Sequence, residues 1–218
     1  MKSYYRYRNK FSAALCPNRC PLCKTVISPF DLYCDKCIDK IPKSPQRRYA
    51  IGGYPVVAPF LYMDEYAAAV KRFKFGQKAY YARAFADGIA KAVLYRYDDA
   101  SFDVITCVPM HKSGLRKRRF NQAELLAREC AMILKLPYAD TLQKFKKNQP
   151  QHELGRKERI DNIKGVFRVI NPSAVKGKCV LLIDDIFTSG NTLGECARLL
   201  KKAGCREVRC AVVCATLK

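Results

Sequence analysis

The stretch "VLLIDDIFTSGNT", Val180 to Thr192, sets two adjacent carboxylates, Asp184 and Asp185, behind an apolar run and ahead of small hydroxyl and glycine residues. Val180 to Ile183 read as a buried strand, and a helical pattern starts near Thr192, which puts the acid pair on a strand-to-helix turn. In open α/β sheets that turn is where ligands bind. The loop Thr188, Ser189, Gly190, Asn191, Thr192 supplies hydroxyls, a glycine for close backbone approach and the N–H groups of a helix start. Together these suit a dianionic phosphate. The acids cannot hold that phosphate, but as acceptors they suit two vicinal ribose hydroxyls or a magnesium ion bridging them. A ligand with phosphate at one end and a diol at the other is a ribose 5-phosphate. A nucleoside monophosphate satisfies the same residues.

Working outward, strand and helix patterns alternate. "DVITCVP" (Asp103 to Pro109) reads as a buried strand, followed by a helix from "NQAELLARECAMIL", with Asn121 as cap, Glu124 closing a capping box, and Leu126, Cys130 and Ile133 inward. "VFRVI", "CVLLID" and "VRCAVVC" complete the strands, and between the last two lies a helix with Leu193, Cys196, Leu199 and Leu200 inward and Gly204 at its end. Such repeats imply an α/β fold with a doubly wound, mainly parallel sheet. Further upstream, Tyr66, Val70 and Phe73 recur at helical spacing, with Lys71, Arg72 and Lys74 facing elsewhere and Gly76 as a stop; a second helix carries Phe85, Ile89 and Val93 inward. A short strand is expected near Tyr138 to Leu142. Residues 143–165 are polar and basic with little periodicity, the profile of a functional loop or lid.

The chain has 218 residues, room for one domain and a small appendage. No apolar run approaches the roughly 20 residues that cross a bilayer, and the apolar patch Phe11 to Leu15 is too short for a signal-peptide core, so a soluble cytoplasmic protein is expected. Lys and Arg outnumber Asp and Glu by 41 to 19, a surplus that attracts anions: nucleic acid, phosphorylated metabolites or anionic lipid. Basic residues cluster in "KSGLRKRR" (Lys112 to Arg119) and "KFKKN" (Lys144 to Asn148), segments that equally suit solvated loops.

Of twelve cysteines, Cys20 and Cys23 in "CPLC" and Cys34 and Cys37 in "CDKC" form two C-x2-C pairs close in sequence, the spacing of a structural four-cysteine zinc site. Cys16 is a fifth thiol able to substitute as a ligand. Cys107, Cys130, Cys179, Cys196, Cys205, Cys210 and Cys214 lie in or beside apolar runs and read as small buried hydrophobes. "IPKSPQRRYAIGGYPV" is rich in Pro, Gly and charge and reads as a junction, with the boundary near Pro45. That divides the chain into a zinc-finger module (1–45) and a main domain (46–218).

The Val180 to Thr192 segment resembles the phosphoribosyl pyrophosphate (PRPP) signature of type I phosphoribosyltransferases. A four-cysteine knuckle, "VKRFKFGQK", "VPMHKSGLRKRRFNQAELL", "QHELGRKERIDNIKGVF" and that signature follow one another as in ComF-type competence proteins, which the chain resembles over nearly its whole length. Two positions depart from that pattern: Arg119 stands where glycine is common before "FNQ", and Asn148 where threonine is more usual. The resemblance implies PRPP binding with magnesium, Asp184 and Asp185 as the catalytic pair, and a role in DNA uptake. It sets pyrophosphate against Pro109, Met110 and His111 and the basic residues that follow, with Lys112, Arg116 and Arg119 as candidates. It makes 148–159 a closing loop, with Gln151, Leu154, Arg159 and Asn162 matching the family, and puts an acceptor-binding hood at about 50–95. His111 suits either a pyrophosphate donor or a structural role. A glutamine-hydrolysing amidotransferase is not expected, since 218 residues leave little room for a second domain beside this one.

A reading of another class is an adaptor for single-stranded DNA or a competence helicase, with the PRPP site kept as a sensor. The basic surplus and the aromatics interleaved in "SYYRYR" favour it.

Overall fold

The computed structural model describes residues 17–76, 78–146, 163 and 165–217. Its main sheet has the order β1-β2-β8-β7-β4, with β3 also on β8, from β1 (Gln46–Ala50), β2 (Tyr54–Ala58), β3 (Phe60–Leu61), β4 (Val104–Cys107), β7 (Cys179–Phe187) and β8 (Glu207–Ala215). Pairings β4–β7, β7–β8, β2–β8 and β3–β8 are parallel, and only the edge strand β1 is antiparallel. A parallel sheet must be covered on both faces, which is why its strands are continuous apolar runs. Ile105, Leu181, Ile183, Ala211 and Val213 face the helices α2 (Asp64–Phe75), α3 (Tyr81–Arg96) and α5 (Gln122–Leu134). Val104, Val180, Leu182, Val208 and Val212 face α6 (Asn191–Lys202), whose Leu193, Cys196, Ala197 and Leu200 fill the second core.

Two connections locate the switch point of the sheet. From β4 the chain runs through α5, covering the first face, and returns at Tyr138 beside the outer edge of β4, where Ile105 N–H donates to Pro137 O at 2.9 Å. From β7 it runs through α6, on the second face, to β8 on the other side. The connections diverge at β4 and β7, which opens a crevice at their carboxyl ends.

Several local expectations need correction. The junction segment is a hairpin: β1 and β2 pair from Gln46↔Ala58 to Ala50↔Tyr54 around Gly52 and Gly53, both at positive φ, and β2 joins the sheet on β8. The segment 50–95 thus contributes β2 and β3 to the sheet and α2 and α3 to its cover. "VFRVI" forms β6 (Phe167–Val169), which pairs not with the main sheet but antiparallel with β5 (Leu142–Lys144) in a separate two-stranded ribbon. Asn121 caps α5 by accepting from Ala123 N–H, whereas Glu124 is taken by Arg128 one turn on, at 2.9 Å, instead of closing a capping box. Ile133 is exposed; Ala123 and Ala127 join Leu126 and Cys130 on the inner stripe. "KSGLRKRR" is not a loop but a short helix, α4 (Lys112–Arg118). All seven cysteines beyond the knuckle are buried, and burial pushes the Cys107 thiol up to about 12. No helix among the described residues is long and apolar enough to cross a membrane.

Candidate functional site

Asp184 and Asp185 lie within β7, which runs on to Phe187, and not on the turn itself. The strand continues because β8 continues beside it, with Asp184↔Val212, Ile186↔Cys214 and Phe187↔Ala215 in register. Successive strand residues point to opposite faces, so the two acids have different surroundings. Asp185 faces α2, where Lys74 Nζ lies 3.0 Å from its Oδ1, with side chains only 18% and 14% exposed. Asp184 accepts the Asp185 N–H at 2.8 Å. Burial, then the charge of Asp185, pushes its carboxyl up to about 7, against the pull of the Asp185 N–H, Lys74 and Lys144. Lys144 on β5 is itself lowered, by burial.

Lys74 and Lys144 were missed in the sequence. The helical pattern had Lys71, Arg72 and Lys74 facing away from the core, but only Lys71 is exposed. Lys74 follows Val70 by one helical turn, and that spacing was the available signal.

Beyond β7, Thr188 and Ser189 lead to Gly190, the N-cap of α6, at φ 73°. Gly190 has no side chain to occupy the first-turn N–H groups, and Asp184 and residues from Ile186 to Leu193 line a cavity of about 30 Å³. The loop is held from behind by the hairpin. A Cβ on Gly190 would meet Ala50 Cα at 2.9 Å, and one on Gly194 would meet Ile51 O at 2.4 Å. Asn191 is buried; Thr192 is half-buried. A helix N-terminus of this kind carries positive partial charge and directional donors, the requirements of an anion site.

The β4 end lies alongside, since Val108 N–H donates to Ile183 O at 2.9 Å. Pro109, Met110 and His111 therefore turn beside the acid pair. His111 caps α4, accepting from Ser113 N–H at 3.2 Å, with Nδ1 also 2.8 Å from Ser113 Oγ, which accounts for it structurally. Lys112, Arg116 and Arg119 are exposed on α4 and its end. Arg119 sits at φ 67° as the C-cap, a left-handed position that glycine takes without strain. Arg118, not among the candidates, stacks over Phe75, 4.9 Å from the ring centre. Arg159 and the rest of the loop from Asn148 to Asn162, like Cys16 and "SYYRYR", lie outside the described residues.

The knuckle residues come together as the spacing requires. The four Sγ atoms of Cys20, Cys23, Cys34 and Cys37 all lie within 4.8 Å of one another, against the roughly 3.8 Å that a tetrahedron of 2.3 Å zinc–sulfur bonds dictates. Lys24, at φ 70°, makes the first turn, with its N–H on Cys20 O at 3.0 Å; Cys34 begins the short helix α1 (Asp35–Ile38), which brings Cys37 back one turn later. This cluster can hold a metal ion such as zinc. Metal analysis of purified protein is expected to give about one zinc per chain; a fully folded, metal-free preparation would refute the assignment.

Comparison with known proteins agrees with the fold. The family described as "Phosphoribosyl transferase domain" matches residues 76–218. DNA utilization protein YhgH of Salmonella typhimurium is 29% identical over 202 residues, 91% of this chain and 84% of that protein. Competence protein F of Haemophilus influenzae is 27% identical over 195 residues, 87% and 81% of the respective chains. Competence protein ComFC of Bacillus subtilis is 34% identical over 145 residues, 66% and 57%. With a mainly parallel sheet, an acid pair on its interior strand β7 and a four-cysteine cluster ahead of it, the chain belongs to the phosphoribosyl transferase domain family and resembles the ComF-type competence proteins.

Proposed function

We propose that the protein binds PRPP with magnesium at the carboxyl end of β7 and acts in DNA uptake as a PRPP-dependent transferase. It would comprise a zinc-finger module at 1–45 and a transferase domain at 46–218. The observation that carries this reading is the acid pair in the β4–β7 crevice, one loop away from a helix start whose cap is glycine. Thr188 to Thr192 take the 5-phosphate, and Asp184 and Asp185 take the ribose hydroxyls. Magnesium held near Asp184 and Asp185 would supply positive charge to screen the pyrophosphate. Displacement develops positive charge on the ribose, so fixed carboxylates beneath the ring stabilise it while Lys112, Arg116 and Arg119 meet the departing anion. Calorimetry with PRPP should give one site per chain that requires magnesium, and a screen for pyrophosphate release then sorts candidate acceptors. Absence of binding would overturn the reading.

One observation favours the second reading, an adaptor for single-stranded DNA or a helicase. Beside the acid pair is an open bowl lined by Tyr62, Lys71, Arg72, Lys74, Phe75 and Arg118, in which the Phe75 side chain is 65% exposed. An exposed ring among cations is a base-stacking platform on an electrostatic groove. Single-stranded DNA bound there should lose affinity steeply as salt rises, and Phe75→Ala together with Lys71→Ala should weaken it about tenfold or more. No binding at low salt removes this reading and leaves the transferase.

A further inference from the structure

Arg72 lies on the inner side of α2, two residues before Lys74. Its Nη2 donates to Pro21 O at 2.6 Å and Leu22 O at 3.1 Å, the carbonyls of the two residues between the metal-ligand candidates Cys20 and Cys23. Its Nε is buried with no hydrogen-bond partner among the described residues. A buried guanidinium already short of one partner depends strongly on those that remain. The first turns of the same helix also hold the knuckle: Tyr66 Oη donates to Lys40 O at 2.7 Å, and Lys40 lies 3.6 Å from Glu65. Both ends of α2 are thus tied to the cysteine module. From the last turn, closed by Gly76 N–H on Arg72 O at 2.8 Å, Lys74 reaches Asp185.

We propose that Arg72 is a positioning residue that couples metal occupancy of the knuckle to the acid pair, by fixing the last turn of α2 so that Lys74 meets Asp185. The cysteine loop is the one element that presents the Pro21 and Leu22 carbonyls, and four thiolates converging on one ion define its shape. An empty knuckle loses that shape, Arg72 loses its acceptors, and Lys74 moves off Asp185. The structural link stands without any ligand; its effect on affinity rests on the PRPP reading. Coupling between two sites is reciprocal and commonly changes affinity between about 5- and 150-fold, so bound magnesium–PRPP also tightens zinc.

The test is amide hydrogen exchange on the full-length zinc-loaded chain, on the same chain after chelation, and on Arg72→Ala with its zinc content verified. Protection of Lys74, Phe75 and Gly76 is expected to fall by about tenfold on chelation, and equally in Arg72→Ala while that variant still holds zinc. Magnesium–PRPP affinity should fall by about tenfold in both. A knuckle that merely stabilises its own loops leaves these amides unchanged, and that result would overturn the proposal. If Arg72→Ala does not fold, Arg72→Lys, which keeps the charge but loses the fork, is expected to show a partial loss, and wild-type protection there overturns it equally. Wild-type protein that shows the exchange change but binds no PRPP refutes the site reading and leaves the structural link intact.

Discussion

Asparagine at either 184 or 185 is expected to reduce magnesium-dependent PRPP affinity about a hundredfold, yet to move stability in opposite directions. The binding loss has the same origin at both positions, since an amide neither balances a cation nor offers two acceptor oxygens to a diol. Stability differs because the surroundings do. Burial and the neighbouring charge of Asp185 push Asp184 up to about 7, against about 3.9 in an unfolded chain. Below about pH 4 both states hold the proton and the group has no effect on stability. Between about pH 4 and 7 the unfolded state ionises first, so stability falls as pH rises, and above 7 the penalty is constant. Asp184→Asn removes that penalty and should raise Tm at pH 8 by several degrees, with little change at pH 4. Asp185→Asn instead leaves the half-buried Lys74 without its carboxylate and should lower Tm. In the wild type, magnesium–PRPP affinity should climb with pH up to about 7 and then level off, because the ligand needs Asp184 ionised. Equal Tm shifts for the two variants, or unchanged affinity by calorimetry, would remove the assignment.

Gly190→Ala should be the most damaging single methyl group in the Thr188–Thr192 loop. Its φ of 73° is one that a side chain adopts at a cost of about 1 to 2 kcal/mol. The new Cβ would also lie 2.9 Å from Ala50 Cα and 2.8 Å from Phe187 Cε2. Backbone in the hairpin cannot rotate away, so overpacking adds about 1 to 3 kcal/mol. Together these should lower Tm by roughly 4 to 20 °C, and displacement of the first turn of α6 should weaken PRPP at least about tenfold. Gly177→Ala is the control. Its φ is 72°, with nothing within 4 Å of the added carbon, so it meets the conformational strain alone. Thermal melts in which both variants lose the same amount would show that close approach to β1 is not what position 190 requires.

The sequence by itself determined whatever short-range spacing encodes. Two C-x2-C pairs converge because each pair chelates from one tight turn, and the six residues of "CVLLID" declare a doubly buried strand because both faces of a parallel sheet demand apolar side chains. The stripes Val70–Phe73 and Leu193–Cys196–Leu200 declared their helices in the same way. Non-local pairing was invisible. "QRRYAIGGYPVVA" carries the Pro and Gly of a linker, yet it becomes two strands because β8 offers an open edge to Val56 and Val57. β7 runs past its acids for the same reason, and strand alternation then gives Asp185 to Lys74 and buries Asp184 on the opposite face. Which lysine meets which acid, and that the helix bearing Lys74 is clamped to the cysteine knuckle by Arg72, depends on contacts between segments some fifty or more residues apart. Such charge pairing is set by three-dimensional proximity, which only the packed tertiary structure defines.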